Sequence, residues 1–499
     1  MKEQKEAPNC HIFEWEKDNF VYDVASNELL AVEPELAAVL PLFGTRPESA
    51  IIEQLKNDFS ISKIKKVCAI IQSSQIEEGL FLARQLLLEP ADPRLAQPGV
   101  CDSRLGHLVL SLTERCNLRC RYCLHGADLD WVRDHGVKSM SFETASRAVG
   151  YFLDRSDPDQ PPVISFYGGE PLLEIDLIKN IVDVARAHDR GREVTFAVDT
   201  NGVLLDDRAA DLIAREKMHL QVSLDGPREI HDRNRIGADG SATFDQVTEG
   251  IDWLLERDPG AAGRLAFVAT LAPPVDLNAV ADFFAKFPPY VSQGISAQPN
   301  VTVNFANLRG QDWPSAEGEP AVNQLDRAQG EYIAAVRTGQ RAQLSPVIRA
   351  LFEPDLIRFH HRSRSLLGDR FSPGGNCLPG RRKLHVTADG RLQPCERTGD
   401  LLDLGDLDSG IRPTEVRRLQ ENFFEAVNDR CGSCFALRMC GVCFAAQAEN
   451  ANPEAGTFPV PEAVCEGVRR RLERTLGMMA AILSMPAEAK AFLDDTVVV

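Results

Sequence analysis

Three closely spaced cysteines are the residues of this chain best suited to chemistry. Cys116, Cys120 and Cys123 have three and then two residues between them, and they follow the apolar run at 108–112. That run predicts a short buried strand, which places the cysteines on the loop at its C-terminal end. Three convergent thiolates can hold three irons of a cubane iron–sulfur cluster and leave the fourth iron free to bind another molecule.

A zinc site is the alternative for the same loop. Structural zinc takes four protein ligands, and no further cysteine or metal-spaced histidine pair follows closely. His125 is the one nearby candidate for a fourth ligand. A chance group of buried thiols is the remaining alternative.

The loop resembles the CxxxCxxC signature of the radical S-adenosylmethionine (radical SAM) superfamily, with Tyr122 in the aromatic position before the third cysteine. The resemblance implies that the three cysteines hold a [4Fe–4S] cluster whose open iron chelates S-adenosylmethionine (SAM). It also implies that one electron, supplied by a flavodoxin or ferredoxin, cleaves SAM to a 5′-deoxyadenosyl radical that abstracts a substrate hydrogen. The cofactor performs this chemistry while the protein positions and shields it.

Alternating strands and helices must position this loop. Such alternation predicts a parallel sheet, and six repeats fit the partial (β/α)6 barrel of the superfamily, with the site at the C-terminal ends of the strands. The predicted strands are 108–112, 163–166, 194–198, 220–224, 265–271 and 301–305, and the predicted helices are 142–154, 174–188, 207–216, 244–256 and 276–287.

A Gly-Gly-Glu-Pro segment, Gly168, Gly169, Glu170 and Pro171, ends the second predicted strand. Glycines allow close backbone approach, and the carboxylate is a hydrogen-bond acceptor for an ammonium group. The segment resembles the GGEP motif that binds the SAM amino group. A lone Gly-Gly pair is more often an ordinary turn.

The third and fourth predicted strands end in two further motifs. Asn201 lies in a segment that resembles the TNG motif near the SAM site, and Ser223 and Arg235 lie in a pattern that resembles SLDGP…HDxxR of the peptide- and protein-modifying branch. The resemblance implies that Ser223 contacts polar groups of SAM and that Arg235 pairs with its carboxylate, which suits a guanidinium. A structural ion pair is the alternative for Arg235, and Asp225 and His231 are expected to be structural caps.

Seven cysteines lie near the C-terminus: Cys377, Cys395, Cys431, Cys434, Cys440, Cys443 and Cys465. Their spacing resembles the SPASM extension of radical SAM maturases, although Cys440 and Cys443 have two residues between them where the family usually has three. The resemblance implies two auxiliary [4Fe–4S] clusters, one held by Cys431, Cys434, Cys440 and Cys465, and the other by Cys377, Cys395 and Cys443 with an open position. A zinc ribbon is the alternative.

Glu396 stands where some relatives of that extension carry a catalytic aspartate. It is a candidate base, although the sequence favours a solvated surface carboxylate.

The chain is expected to have several parts. Residues 1–90 predict a small winged-helix-like α+β domain of three strands, 11–16, 20–24 and 29–32, and three helices, 34–42, 47–58 and 62–78. This domain resembles the PqqD-like precursor-recognition element, in which a leader peptide adds a strand to the sheet edge; a domain that merely packs on the barrel is the alternative. A linker at 91–106, the barrel at 107–310, a bridging region at 311–375, the cysteine-rich domain at 376–470 and a helix and tail at 471–499 follow.

Length, composition and net charge limit the classes of protein to which this chain can belong. A chain of 499 residues with 44% hydrophobic and 26% charged residues is globular and large enough for two or three domains. No apolar run reaches membrane-spanning length and the start is no signal peptide, so a cytoplasmic location is expected, and thirteen cysteines there favour metal clusters over disulfides. The net charge of −18 disfavours a nucleic-acid partner.

These features predict a radical SAM/SPASM enzyme that modifies a ribosomally made peptide or protein. A thioether crosslink from a substrate cysteine is the leading product, carbon–carbon or carbon–oxygen crosslinks come next, and formylglycine ranks lower. The alternative of another class is a non-catalytic iron–sulfur electron carrier or a peptide-binding escort.

Overall fold

A computed structural model describes residues 7–83, 86–89, 100–123, 135–188, 192–306, 321–372, 377, 379–399, 402–448 and 458–494. The strands are β1 Cys10–Trp15, β2 Asp18–Asp23, β3 Glu28–Val32, β4 Leu87–Leu88, β5 His107–Thr113, β6 Val163–Gly168, β7 Thr195–Thr200, β8 His219–Ser223, β9 Leu265–Leu271, β10 Asn300–Phe305, β11 Arg370–Phe371, β12 Lys383–Val386, β13 Arg391–Gln393, β14 Gly405–Asp406 and β15 Gly410–Ile411.

The α-helices are α1 Pro34–Val39, α2 Glu48–Leu55, α3 Ile61–Glu77, α4 Phe142–Arg155, α5 Ile175–His188, α6 Asp207–Glu216, α7 Arg228–Asn234, α8 Phe244–Arg257, α9 Leu277–Ala285, α10 Pro288–Ser292, α11 Ala321–Arg337, α12 Pro346–His360, α13 Pro413–Cys431, α14 Phe444–Ala448, α15 Glu462–Leu483 and α16 Ala487–Lys490. None of the helices in these ranges is long and apolar enough to cross a bilayer. His125, most of the predicted linker and the beginning of the predicted bridging region lie outside the described residues.

One large sheet carries the predicted strands of the barrel. Strands β5 to β10 pair in parallel and in sequential order, which confirms the predicted parallel sheet. Helices lie between successive strands, as a partial (β/α)6 barrel requires. Leu110, Phe166 and Val198 share one face of this sheet and are buried, because the helices pack against that face.

The opposite face of the same strands carries polar side chains. Asp199 and Gln221 are register partners on β7 and β8, and Ser165 lies on the same face of β6. Because side chains alternate between the two faces of a strand, a sheet with one apolar and one polar face follows directly from the sequence. The polar face is therefore the side available for a ligand.

The sheet continues into the cysteine-rich region, which sequence reasoning treated as separate. Strand β12 pairs in parallel with β5, and β13, β14 and β15 extend it in antiparallel fashion. Ser111 Oγ of β5 lies 2.8 Å from His385 Nε2 of β12, and His385 Nδ1 lies 3.0 Å from Gln393 Oε1 of β13. These buried polar contacts fix the two regions to each other.

The N-terminal unit is a three-stranded antiparallel sheet, in the order β1-β2-β3, with α1, α2 and α3. Its three strands and three helices match the predicted elements. Val21, Ile51 and Ile64 form part of its own apolar core. The unit also contacts the cysteine-rich region, because the Arg438 Nη1 donates to the carbonyl of Ala25 over 3.1 Å and the His11 ring stacks on Phe435 with centroids 4.0 Å apart.

Candidate active site

The loop that carries Cys116, Cys120 and Cys123 leaves the C-terminal end of β5, as predicted. The segment after α7 holds it in place through backbone hydrogen bonds that sequence reasoning did not anticipate. The amide of Arg119 donates to Ile236 O over 2.7 Å, and the amide of Arg121 donates to Asn234 O over 2.9 Å. The chain stretch that contains Arg235 therefore runs alongside the cysteine loop.

The three thiols lie close enough to influence one another. Burial and the neighbouring thiolate of Cys123 contribute to raising the pKa of Cys116 to about 11. Burial raises the pKa of Cys120 to about 12, against the opposing effect of Arg235. Thiolates held this way need a positive partner, which cluster iron would supply. The donor set fits a [4Fe–4S] cluster, whose ligands bind different irons.

The two glycines of the Gly-Gly-Glu-Pro segment pack against the cysteine loop. The amide of Gly169 donates to Thr113 O over 2.8 Å. A Cβ on Gly168, which has φ of 137°, would lie 2.4 Å from Thr113 O, and a Cβ on Gly169 would lie 2.1 Å from Arg115 O. Any side chain at either position would therefore push this segment away from the loop that carries the cysteines.

Glu170 is fully buried and bound within the chain. Its Oε1 accepts hydrogen bonds from Thr200 Oγ1 over 2.7 Å and from the amide of Leu172 over 3.0 Å, and its Oε2 accepts one from the amide of Asn201 over 2.8 Å. Burial, opposed by these hydrogen bonds, raises the pKa of Glu170 to about 7. The carboxylate thus joins the ends of β6 and β7, and its contact with SAM stays a prediction.

Asn201 connects the ends of β6 and β7 to the cysteine loop. Its Nδ2 donates to Asn117 Oδ1 over 2.8 Å and lies 3.8 Å from Cys116 Sγ. Ser223 ends β8 and remains partly exposed on the polar face of the sheet. Both residues therefore lie at the C-terminal edge of the sheet, where the SAM site is predicted.

Arg235 belongs to a buried polar network under the cysteine loop. Its Nε donates to Asp225 Oδ1 over 3.1 Å, and its Nη1 lies 4.0 Å from Cys120 Sγ. The hydroxyl of Tyr122 donates to Asp225 Oδ2, and the Arg235 guanidinium lies 5.4 Å from the Tyr122 ring centre. His231 packs beneath and lies 3.1 Å from Thr243 Oγ1, which donates to the carbonyl of Arg235. The structural ion pair considered for Arg235 is therefore present.

Four of the C-terminal cysteines, Cys431, Cys434, Cys440 and Cys465, line one apolar cavity. We call it the four-cysteine cavity. Its other lining residues are Phe423, Val427, Ala436, Leu437, Val442, Val460 and Val468. Burial and the other three thiolates raise the pKa of Cys431 to about 12. An apolar cavity lined by four thiols fits an iron–sulfur cluster.

The other three C-terminal cysteines, Cys377, Cys395 and Cys443, form a second group. Burial raises the pKa of Cys377, and the charge of Cys443 adds to the effect. Burial and then the carboxylate of Glu396 raise the pKa of Cys395 to about 11. Within the described ranges, no group of three or more His, Cys, Asp or Glu side chains is placed so that it could hold a single metal ion.

Glu396 is not a freely solvated carboxylate, which corrects the alternative considered from the sequence. Lys383 of β12 donates from Nζ to Glu396 Oε1 over 2.8 Å, and the Glu396 side chain is 17% exposed. Burial and the charge of Glu396 raise the pKa of Asp199 to about 6, and Gln221 Nε2 donates to Asp199 Oδ1 over 2.6 Å. Asp199 and Lys383 were not among the predicted site residues, although their strand positions place them on the polar face.

Comparison with known proteins assigns the central part of the chain. A model of the radical SAM superfamily matches residues 110–264. GTP 3′,8-cyclase from Paenarthrobacter nicotinovorans is 33% identical over 193 residues, which are 38% of this chain and 48% of that protein. The serine-type anaerobic sulfatase-maturating enzyme from Bacteroides thetaiotaomicron is 28% identical over 140 residues, which are 28% of this chain and 34% of that protein. The chain spans less than half the length of these relatives.

Solved structures share the fold over more of the chain. The structure of anSMEcpe with bound AdoMet has a TM-score of 0.55 and 19% identity, and covers 78% of this chain and 98% of that one. A second anSMEcpe structure, with bound AdoMet and Cp18Cys peptide, has a TM-score of 0.53 and 18% identity, and covers 76% of this chain and 100% of that one. The protein therefore contains a radical SAM domain, matched over residues 110–264, within a fold that it shares with anSMEcpe.

Proposed function

We propose that this protein is a radical SAM enzyme that modifies a ribosomally made peptide or protein. The observation that carries the proposal is the arrangement of ten cysteines in three groups: the loop after β5, the four-cysteine cavity and the group at Cys377, Cys395 and Cys443. A cluster loop alone is compatible with many substrates. Two further cysteine groups in the same chain favour a peptide maturase, and the peptide bound to anSMEcpe supports this substrate class.

Cys116, Cys120 and Cys123 would hold the catalytic [4Fe–4S] cluster. With SAM bound, this group supplies a carbon-centred radical that removes a substrate hydrogen atom. The chain's own residues orient and shield it. Arg235 contributes a fixed positive charge beside Cys120, Asn201 binds the loop next to Cys116, and the polar face around Asp199 receives the substrate.

The N-terminal unit is the proposed binding site for a leader segment of the substrate. In the described part of the chain, β3 pairs with β2 and with no other strand, so an extended peptide can pair with the free edge of β3. Arg438 anchors this unit to the loop between Cys434 and Cys440 by donating to the carbonyl of Ala25 over 3.1 Å. A peptide bound here is thereby held on the body that carries the cysteines.

A thioether crosslink is the proposed product. The group of Cys377, Cys395 and Cys443 offers three thiolates, and a cubane cluster has four irons, so a substrate cysteine thiolate can take the fourth position. Lys383 and Glu396 lie beside this group and can exchange a proton with the substrate. Carbon–carbon or carbon–oxygen crosslinks, or formylglycine, are the alternative products of the same site.

A non-catalytic electron carrier or peptide escort is the competing function, and SAM cleavage separates the two. The anaerobically reconstituted, dithionite-reduced enzyme should convert SAM to 5′-deoxyadenosine. Cys120→Ala should abolish the conversion, whereas Cys68→Ala, which alters a buried thiol in the core of the N-terminal unit, should retain it. Equal conversion by Cys120→Ala and the wild type would contradict the proposal.

A further inference from the structure

Arginines surround the four-cysteine cavity although the chain as a whole carries a net charge of −18. Arg430 directly precedes Cys431 at the end of α13. Arg469 follows Cys465 by four residues on α15, so both side chains lie on one face of that helix. The guanidinium of Arg469 lies beside the sulfur of Cys434.

A third arginine, from another helix, lies beside Cys440. Arg358 of α12 donates from Nη2 to the carbonyl of Cys440 over 3.5 Å. The carboxylate of Glu462 accepts a hydrogen bond from Arg469 and lies 3.3 Å from Arg430 Nη1. Three guanidinium groups therefore lie near the cysteines of the cavity, and two of them share the carboxylate of Glu462.

Positive charge beside the four-cysteine cavity would change the reduction potential of a cluster held there. The reduction potential of an iron–sulfur cluster depends on net charge, on hydrogen bonds to the sulfurs and on exposure to solvent. A guanidinium is protonated at every working pH, and the apolar lining of the cavity weakens dielectric screening. The charge therefore stabilises the reduced cluster, which carries one more negative charge than the oxidised one.

We propose that Arg469 is a redox-tuning residue that raises the reduction potential of a cluster held in the four-cysteine cavity and thereby makes that cluster an electron acceptor. The inference rests on the proposed function, since the cavity must hold a cluster. The step is a transfer of one electron. The substrate carbon radical forms a bond to the thiolate of the substrate cysteine and gives up one electron, which the cluster gains. A closed-shell thioether results, and no bond to this chain forms or breaks.

Three substitutions separate tuning from a structural role. Arg469→Gln removes a positive charge at the sulfur and should lower the midpoint potential of this cluster. Glu462→Gln removes the opposing negative charge and should raise it. Arg470→Gln is the matched control, because Arg470 is the next residue of the same helix, is 79% exposed and pairs with Glu466 at the surface. A loss of packing would not shift the potential in opposite directions for Arg469→Gln and Glu462→Gln.

The experiment is a dithionite redox titration followed by electron paramagnetic resonance. The full chain is reconstituted anaerobically with Cys116, Cys120 and Cys123 replaced by alanine, so that only auxiliary signals remain, and iron is counted in every variant. The account predicts a downward shift for Arg469→Gln, an upward shift for Glu462→Gln and no shift for Arg470→Gln. Two auxiliary signals with an Arg469→Gln shift no larger than that of Arg470→Gln would overturn the inference alone. Absence of auxiliary signals in all variants would overturn the proposed function instead.

Discussion

Arg235 Nε donates to Asp225 Oδ1 over 3.1 Å, and both side chains are buried beneath the cysteine loop. Asp225 Oδ1 also accepts from the amide of Thr270 over 3.1 Å, and its Oδ2 accepts from the hydroxyl of Tyr122. One carboxylate therefore joins the ends of β8 and β9 to the cysteine loop. It fixes the guanidinium that is predicted to bind the SAM carboxylate.

Asp225→Asn should destabilise the protein by about 3 kcal/mol, because it leaves a buried guanidinium without its counter-charge. The same change should weaken SAM binding, since Arg235 loses its fixed position. Anaerobic denaturant unfolding and equilibrium SAM binding measure the two effects. Glu229→Gln, on the exposed side of α7, is the control and should change neither. If Asp225→Asn unfolded with the same free energy as the wild type, the ion pair would not support the loop.

Gly169→Ala should remove the cluster of the first cysteine loop while leaving the C-terminal groups intact. The added Cβ would lie 2.1 Å from Arg115 O, so the Gly-Gly-Glu-Pro segment and the loop must separate. Iron analysis should show a loss of about four irons per chain, the content of one cubane cluster. Gly330→Ala in α11 adds a Cβ with no heavy atom within 4 Å and should keep full iron content. Full iron content in Gly169→Ala would contradict the close packing described for the loop.

Arg438→Gln should loosen the N-terminal unit from the cysteine-rich region. Arg438 donates to Ala25 O over 3.1 Å and to Ser363 O over 3.0 Å, and its removal takes away these two charged donors. Each carbonyl keeps one neutral donor, the amide of Leu367 and Asn27 Nδ2 respectively. The expected loss is about 2 kcal/mol, typical of hydrogen bonds to a charged group. Hydrogen exchange should accelerate in β2 and β3, with Arg417→Gln on the exposed face of α13 as the control. Unchanged hydrogen exchange in those strands would show that Arg438 does not hold the N-terminal unit to the cysteine-rich region.

Asp199 should give the protein a measurable pH dependence. Burial and the charge of Glu396 raise the pKa of Asp199 from 3.8 to about 6. At pH 5 the carboxyl is therefore mostly protonated in the folded protein and mostly ionised in the unfolded chain. Stability linked to this group is therefore present at low pH and is lost as the pH rises through 6. Between pH 5 and 7.5 the wild type should lose about 1 kcal/mol relative to Asp199→Asn. Parallel unfolding curves for the two proteins across this range would contradict the assignment.

Local patterns explain why much of the fold was predictable. The strands β5 to β10 and the longer helices between them follow from runs of apolar residues with the period of each element. The short helices α7 and α10 were not predicted. The place of β12 beside β5 was not predictable, since Lys383 and His107 are register partners far apart in the sequence. Pairing over such distances depends on the packed tertiary structure rather than on local pattern.

Motif reasoning placed the site residues but not all of their contacts. Glu170 was expected as an acceptor for an ammonium group, and the structure shows it occupied by three donors from its own chain. Such contacts depend on loops that approach across the sheet, and no single motif encodes them. Lys383 was missed for the same reason, because its partner Glu396 follows a separate strand.

The central claim is that ten cysteines hold three clusters, and iron content tests it most directly. Iron and acid-labile sulfide should be measured after anaerobic reconstitution of the wild type and of a variant with Cys116, Cys120 and Cys123 replaced by alanine. The account predicts about twelve irons per chain in the wild type and about eight in the variant, since each cubane holds four. About four irons in the wild type, together with bound zinc, would mean that the C-terminal cysteines form a structural metal site and would contradict the account.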